Sequence, residues 1–220
     1  MKKTVRTQRT DGGVTHSRIL DMAGELFAST GFAETTNKMI AAKAGVDLAS
    51  INYHFGSRNG LYQAVLVEAH RRLVSVESLQ QLASTDLSAR ERLKALIQML
   101  VENATSEHSW HARVLSREFL SPTSNLRALI ESEVPPKLAS ILNIIEDITA
   151  IPSGDPALLR CLASVIAPCA MLLVVGRNVS PVADEIRGMP TEDLVEHLYG
   201  FALGGLEAVG HHRSRPEIEK

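Results

Sequence analysis

The sequence predicts an all-α fold, and two observations carry this prediction. Apolar residues recur at helical spacing along most of the 220 residues, whereas no alternating strand pattern is present. Aromatic residues make up only 4% of the chain, while the helix-favouring residues alanine and leucine are abundant. A hydrophobic fraction of 45% with 22% charged residues is ordinary for a soluble protein that forms its own core.

The first 14 residues, which begin MKKTVRTQRTDGG, are expected to form a flexible basic arm. No apolar run follows the basic residues, so the segment does not read as a secretory signal peptide. A helix then begins at Thr15 or His16 and is expected to stop at Gly31, because glycine favours helix ends. Its apolar face carries Ile19, Ala23, Leu26 and Phe27.

Two short helices follow, separated by a tight turn. Thr36 is a suitable N-cap for the first, and Gly45 suits the left-handed position that ends it. Asp47 can cap the second, which is expected to run to about His54 and to be closed by Gly56.

The rest of the chain reads as longer helices. Ser57 is expected to cap a helix whose apolar stripe continues to Val76. Further helices are expected near residues 87–104, 109–120, 124–149, 155–175 and 191–210, with proline-containing breaks between them.

Three helices joined by minimal turns predict a helix-turn-helix domain, whose second short helix lies in the DNA major groove. Val46 and Ile51 would face inward and fix that helix, although a core hairpin without a DNA role is the alternative. The residues expected to contact bases are Leu48, Ala49, Ser50, Asn52 and, on the preceding helix, Asn37. The residues expected to contact phosphates are Thr35, Thr36, Lys38, Tyr53, His54 and Arg58.

The charge distribution fits a polyanion partner for the N-terminal part alone. Residues 1–60 contain eight Lys or Arg and five acidic residues, a net charge of +3, whereas the remaining 160 residues carry −5 and the whole chain −2. A basic head on an acidic body is consistent with DNA binding but does not establish it.

The segment TTNKMIAAKAGVDLASINYHFGSRNGLYQAVL resembles the DNA-binding domain of the TetR family of bacterial transcriptional regulators. The resemblance covers roughly residues 15–67 and departs from the family at Asn52, where tyrosine is common. It implies a helix-turn-helix domain at 15–60, a larger helical effector-binding and dimerisation domain at 61–212 and a tail at 213–220. It also implies a cytoplasmic homodimeric repressor that binds a pseudo-palindromic double-stranded DNA operator and responds to a small-molecule effector.

Two apolar segments of the body are candidates for the dimer interface. ALLRCLASVIAPCAMLLVV is too apolar to face water all round, and TEDLVEHLYGFALGGLEAVG combines leucines with Gly200, Gly204 and Gly205. Burial within one subunit is the alternative. The apolar run at 162–176 is shorter than the roughly 20 residues that cross a bilayer, so no membrane partner is expected.

The candidate effector site centres on Trp110. The residues proposed to line it are Met99, Trp110, Arg113, Arg117, Glu118 and Met171. For Arg117 and Glu118 a solvated helix face or a salt bridge is the alternative, and for the two methionines core packing is. The pieces REFLSPT and PPKL are similar to the CecR-like branch of the TetR family, which is associated with responses to toxic compounds and control of transporter genes.

No metal or cofactor is expected. Glu107, His108 and His111 have a spacing that suits a metal, but no third His or Cys lies nearby, and Cys161 and Cys169 read as buried thiols. A small helical enzyme is a competing hypothesis, yet no phosphate-binding glycine loop, HExxH motif or nucleophile elbow is present. A helical adaptor that binds only protein is the other alternative, and it predicts no salt-dependent affinity for DNA.

Overall fold

The computed structural model describes residues 7–106, 109–174 and 181–214, and every regular element within these ranges is a helix. The all-α prediction is therefore confirmed. The helices are α1 (Thr7–Glu34), α2 (Asn37–Ala44), α3 (Leu48–Phe55), α4 (Arg58–Leu73), α5 (Val76–Ala83), α6 (Ala89–Thr105), α7 (Trp110–Leu120), α8 (Ser124–Glu133), α9 (Pro135–Thr149), α10 (Pro156–Val174), α11 (Pro181–Arg187) and α12 (Thr191–Ser214).

Helix α1 begins at Thr7 rather than at Thr15 or His16, so the second part of the expected flexible arm is helical. Extending an existing helix adds one hydrogen bond for each residue fixed, which lets polar residues continue it. Residues 1–6 of the arm lie outside the described residues. The first helix was expected to stop at Gly31, and helical geometry is interrupted there by a positive φ of 85°, but α1 resumes and ends at Glu34.

The described core has two parts. The N-terminal cluster is built on residues of α1 to α4 such as Phe27, Ile40 and Ile51. It also takes in Trp110 and Leu115 of α7, so α7 packs against α1 and α4. The C-terminal cluster joins α5, α6, α9, α10 and α12. Helix α7 is thus a body helix whose apolar side completes the N-terminal core.

Two expected helices are each divided in the structure. The helix that begins after Ser57 ends at Leu73, because Val74 is extended, and α5 starts as a separate helix after Ser75. The helix expected at 124–149 is two helices that meet at Val134, because Pro135 and its neighbouring proline lack the N–H groups that would continue α8.

Helix α10 is the one described helix long and apolar enough to cross a membrane by length and composition, with a mean hydropathy of 2.2. The same properties suit the core helix of a soluble protein, so this is a weak indication. Its buried side includes Cys161, Val165 and Cys169, which pack into the C-terminal cluster. Both cysteines are buried thiols, as the sequence indicated.

Candidate nucleic-acid interface and ligand cavity

The turn between α2 and α3 is fixed by its caps. The Thr36 side chain accepts a hydrogen bond from the Met39 N–H at 3.2 Å and caps α2. Gly45 ends α2 with φ 62° and ψ 42°, a left-handed conformation that is strained for residues with a side chain. Asp47 Oδ1 accepts from the N–H and the hydroxyl of Ser50, at 2.7 and 2.6 Å, and caps α3. Local sequence therefore sets the angle between the two helices.

Helix α3 is held by one side and free on the other. Ile51 is completely buried in the N-terminal cluster, while Val46 packs against that cluster from the turn. Tyr53 is 84% exposed and Leu48 is 47% exposed. The other residues expected to reach bases are also on the accessible side: Ala49 and Asn52 are exposed, and Ser50 is half-buried. An outward face of small and polar groups is what groove reading requires.

The residues at the start of α2 that are expected to contact DNA differ in their exposure. Thr36 and Lys38 are exposed, and Asn37 is half-buried with an Oδ1 atom that lacks a hydrogen-bond partner. Thr35, in contrast, is fully buried; its hydroxyl donates to the Gly31 carbonyl at 2.7 Å. The expectation that the Thr35 side chain contacts a phosphate does not fit this position, because the side chain is buried and hydrogen-bonded to the end of α1.

Arg58 also faces the protein rather than a ligand. Its Nη2 donates to the carbonyl oxygens of Phe32 and, at 3.1 Å, Ala33, and its guanidinium lies 4.3 Å from the centroid of the Phe32 ring. The expected phosphate contact does not fit this geometry, because the guanidinium is committed to the end of α1.

Arg58→Ala is therefore expected to lower the free energy of unfolding by about 1–2 kcal/mol, the contribution of charge-assisted hydrogen bonds and a cation–π contact. The salt dependence of DNA affinity should keep its slope, since no phosphate contact is lost. Urea unfolding and fluorescence anisotropy at several salt concentrations measure these two quantities. A folded Arg58→Ala protein of unchanged stability but shallower salt slope would contradict the structural role.

His54 packs in an aromatic group at the rim of α3. Its ring centroid lies 5.1 Å from that of Tyr53 and 5.7 Å from that of His16, which in turn stacks on Phe55 at 4.5 Å. Burial and the nearby His54 lower the pKa of His16. His54 is half-buried, so it retains an accessible edge beside Tyr53.

A cavity of about 390 Å³ lies in the body between α4, α6, α7, α9 and α10. His70 and Lys137 are the ionisable side chains of its wall apart from the thiol of Cys169. The remaining lining residues are apolar: Leu73, Val74, Leu100, Phe119, Val134, Leu138, Ile141, Leu159, Leu162, Ala163, Ile166, Ala167, Ala170 and Leu173. A volume in this range suits a small molecule, and the lining favours an apolar one.

None of the six residues proposed for the effector site lines this cavity. Met99 packs beside the C-terminal cluster, whereas Met171 is 53% exposed and Arg113 is exposed. The other three, Trp110, Arg117 and Glu118, instead attach α7 to α1 and α4. The cavity residues gave no separate signal in the sequence, because their spacing is that of any core helix.

Trp110 and Arg117 hold α7 against α1. The Trp110 ring lies directly on Gly24, where even a Cβ atom would come within 2.5 Å of the ring. The guanidinium of Arg72 stands 5.3 Å from the Trp110 ring centroid. Arg117 Nε and Nη2 donate to the carbonyl oxygens of Ala28 and Ser29 at 2.9 and 2.8 Å. These contacts join the helix-turn-helix part to the body.

Glu118 attaches α7 to α4. Its side chain is buried, and Oε2 accepts from the Tyr62 hydroxyl at 2.8 Å. Oε1 accepts from the N–H and hydroxyl of Thr123, at 2.9 and 2.7 Å. Burial raises the pKa of Tyr62, with a further increase from Glu118, so the phenol stays protonated and donates.

Two basic residues of the cavity wall, His70 and Lys137, belong to a cluster of polar and charged side chains. Lys137 Nζ contacts His70 Nδ1 at 2.7 Å and donates to Glu133 Oε2 at 3.2 Å, while Arg71 donates to both Glu133 oxygens. Burial and the charge of Lys137 lower the pKa of His70 to about 4. Burial lowers the pKa of Lys137 despite the attraction of Glu133. Burial would raise the pKa of Glu133, but the hydrogen bonds from Arg71 and Lys137 outweigh it, so that pKa is lowered.

Because the folded protein holds His70 neutral, we expect the protein to lose stability in mild acid. Because its pKa falls from about 6.5 in the unfolded chain to about 4 in the folded protein, the unfolded state binds more protons between these values. Stability contributed by His70 is complete above pH 6.5 and falls as the pH is lowered towards 4. We expect the free energy of unfolding to fall by roughly 1–2 kcal/mol over this pH range. The loss is smaller than for a fully buried histidine because the His70 ring is partly accessible.

Urea unfolding of the wild type and of His70→Asn at several pH values between 7 and 4 measures this contribution. The variant should lose less stability on acidification than the wild type. Parallel pH profiles for wild type and His70→Asn would contradict the buried neutral histidine.

Within the part of the chain that the structure describes, no group of three or more His, Cys, Asp or Glu side chains is placed to hold a metal ion. Of the trio considered from the sequence, Glu107 and His108 lie outside the described residues. His111 contacts Arg72 and Ser109.

Two family models match the chain. Residues 89–206, more than half of the sequence, match the C-terminal domain of the HTH-type transcriptional dual regulator CecR. Residues 19–65 match the model of the tetR family of bacterial regulatory proteins. The second match contains α2, the turn and α3, and the first contains most of the cavity wall.

Individual relatives are more distant. YttP of Bacillus subtilis (strain 168), described as a probable HTH-type transcriptional regulator, is 23% identical over 120 residues, which are 54% of this chain and 56% of that protein. The chain thus spans just over half the length of this curated relative.

Solved structures of low identity share the fold. The fatty acid degradation regulator FadR from Bacillus halodurans matches with a TM-score of 0.68 and 18% identity, over 94% of this chain and 98% of that one. FadR from Bacillus subtilis in complex with stearoyl-CoA matches with a TM-score of 0.64 and 18% identity, over 86% of this chain and 98% of that one. A TetR-like transcriptional regulator from Rhodococcus sp. RHA1 matches with a TM-score of 0.63 and 22% identity, over 88% of this chain and 96% of that one.

Proposed function

Because the chain belongs to the TetR family of transcriptional regulators, with a C-terminal domain of the CecR type, we propose that it is a cytoplasmic homodimeric repressor that releases a pseudo-palindromic operator when an apolar effector fills the cavity. Membership in this family identifies a DNA-binding regulator rather than an enzyme. Genes for transport or stress responses are the proposed targets, following the CecR-like resemblance.

The observation that carries the DNA-binding proposal is the two-sided character of α3. Its inward side is fixed by buried Ile51, and its outward side presents an almost fully exposed Tyr53 among small and polar residues. In our proposal the bases are read by Asn37, Leu48, Ala49, Ser50 and Asn52, and the phosphates are contacted by Thr36, Lys38, Tyr53 and His54. Thr35 and Arg58 hold the domain together instead.

The homodimer proposal rests on one accessible face of α10 and α12. Phe201 is 77% exposed and Met171 is 53% exposed, which is unusual for side chains of this size in a monomer. A Cβ atom at Gly200, Gly204 or Gly205 would meet no atom within 4 Å, so this face of α12 leaves room for the backbone of another helix. A second copy of the chain would bury both helices and place two α3 helices on one DNA site.

The cavity and α4 support the proposed response to an effector. His70 and Leu73, near the end of α4, line the cavity, whereas Leu61 and Tyr62, near its start, belong to the core behind the DNA-binding helices. An effector that moves the end of α4 would therefore alter the spacing of the two α3 helices. It must bind the released form more tightly to do so, typically by 1–3 kcal/mol. The ligand of Bacillus subtilis FadR, stearoyl-CoA, also has an apolar chain.

Two substitutions test the proposed division between bases and phosphates. Asn52→Ala should relax sequence preference at one or two positions in each half-site. Lys38→Ala should weaken binding to all sequences similarly and reduce the magnitude of the salt slope by about one. Binding of each variant to a panel of single-base operator variants, at several salt concentrations, measures both effects.

Lys94→Ala is the matched lysine control, since Lys94 lies on α6 and pairs with Glu196 in the body. It should leave affinity and salt slope unchanged. Equal effects of Lys38→Ala and Lys94→Ala, or an unaltered base preference in Asn52→Ala, would contradict the proposed contacts.

A further inference from the structure

The cavity wall combines an apolar surface with one cationic end. Phe119, Leu162 and Ile166 are among the apolar side chains, whereas His70 of α4 and Lys137 of α9 are the two basic residues of the wall and contact each other. The Lys137 side chain is only 3% exposed. A buried ammonium beside an apolar cavity is costly unless its hydrogen-bonding capacity is used.

The hydrogen bonds of this cluster leave donors and no free acceptor. The Lys137 ammonium has three protons, and His70 Nδ1 and Glu133 take two of them. Since Nδ1 of neutral His70 accepts from Lys137, its proton is on Nε2, for which the described residues provide no partner. Glu133 accepts from Lys137 and, through both oxygens, from Arg71. The donors of Lys137 and His70 that are left without a partner among the described residues are thus one N–H on Lys137 Nζ and the N–H of His70 Nε2.

The charge of the cluster favours an anionic acceptor over a neutral one. Arg71 and Lys137 share the single buried carboxylate of Glu133, which leaves one positive charge. Glu77 on α5 also acts on Lys137, but it is fully exposed and its effect is screened by water. Lys137 is also in the first turn of α9, where the helix dipole favours negative charge.

We propose that the cavity binds a hydrophobic carboxylic acid, with the apolar body along α10 and the carboxylate oxygens accepting hydrogen bonds from Lys137 Nζ and His70 Nε2. This inference rests on the proposed function and names the effector class of the same cavity. A carboxylate uses both free donors, whereas an alcohol supplies one oxygen and a quaternary ammonium supplies no acceptor.

The same contact gives the effector a direct connection to α4. His70 belongs to α4 and Lys137 to α9. A carboxylate bound to both would therefore alter the hydrogen bond between Lys137 Nζ and His70 Nδ1 that connects the two helices. The neighbouring Arg71 of α4 is held to α8 through Glu133. In this proposal, His70 both binds the carboxylate and connects it to α4.

Calorimetric titration of the full-length wild-type protein with three probes of equal chain length tests the proposal without a variant. The probes are decanoate, decanol and decyltrimethylammonium. We expect decanoate to bind about tenfold or more tightly than decanol, as charge-assisted hydrogen bonds predict, and the ammonium to bind least. Equal binding of decanoate and decanol, preference for the ammonium, or binding of none of the three would overturn the proposal.

Lys137→Met then locates the head group, because methionine keeps an unbranched apolar side chain but no charge. The variant should lose the preference for decanoate and keep its affinity for decanol. Lys94→Met, at a half-buried lysine of α6 that pairs with Glu196 and does not line the cavity, should retain the wild-type preference. A folded Lys137→Met protein, verified by its thermal transition, that still prefers decanoate to the wild-type extent would refute the assigned head-group site.

The titration separates this inference from the proposed function. Decanoate binding is measured without DNA, so it can fail while sequence-specific DNA binding stands. It can equally succeed in a protein that selects no DNA sequence, in which case the proposed repressor function fails and the carboxylate site stands.

Discussion

Phe201→Glu is expected to convert the protein from a homodimer to a monomer and to lower its affinity for an operator by about a hundredfold or more. The side chain is 77% exposed on the face of α12 that is proposed to meet a second copy. A carboxylate there would be buried against apolar surface without a partner, at a cost of several kcal/mol. A monomer places only one α3 helix on the DNA and loses the effective concentration that links two half-sites.

Analytical ultracentrifugation and anisotropy titration with the same preparation measure these two effects. Leu120→Glu is the matched control, because Leu120 is 62% exposed but belongs to α7 rather than to the proposed interface. The control should remain dimeric and bind normally. A Phe201→Glu protein that sediments as a dimer would rule out this face of α12 as the interface.

Glu118→Ala is expected to lower the free energy of unfolding by roughly 3 kcal/mol. The substitution leaves the buried Tyr62 hydroxyl and the Thr123 N–H without their acceptor. Each unsatisfied buried donor costs about 1–3 kcal/mol, whereas an exposed ion pair contributes well under that. Because these bonds hold α7 to α4, the response of DNA binding to an effector should weaken as well.

Urea unfolding of Glu118→Ala and of Glu131→Ala provides the comparison. Glu131 has the same side chain on a neighbouring helix, is 62% exposed and pairs with Arg127 four residues away. Its replacement should change stability by less than about 0.5 kcal/mol. Similar losses for the two variants would show that the buried Glu118 contacts do not stabilise the junction.

The features that depend on neighbouring residues could be predicted from the sequence. Thr36, Asp47 and Ser57 cap their helices as expected, and Gly45 adopts the left-handed conformation that the α2–α3 turn requires. A cap is recognised by groups three or four residues away, so its chemistry is visible in a short segment. The burial of Ile51 followed from helical spacing in the same way.

The features that depend on distant segments could not be predicted. Arg58 donates to carbonyl oxygens at the end of α1, and buried Thr35 bonds back to Gly31. Both are polar residues in a DNA-binding segment, so their types alone favoured phosphate contact. The cation–carboxylate pair of Lys137 and Glu133 is spaced for a solvated helix face in the sequence, but α4 packs against α8 and α5 packs against α9, and the pair is buried.

Sequence-specific DNA binding is tested by selecting bound fragments from the genomic DNA of the source organism with the purified full-length protein at two salt concentrations. We expect enrichment of a short inverted repeat, weaker recovery at the higher salt concentration, and an altered repeat for the Asn52→Ala protein. Failure to enrich any sequence even at low salt would contradict the account and would favour a protein-binding role for the exposed face of α3.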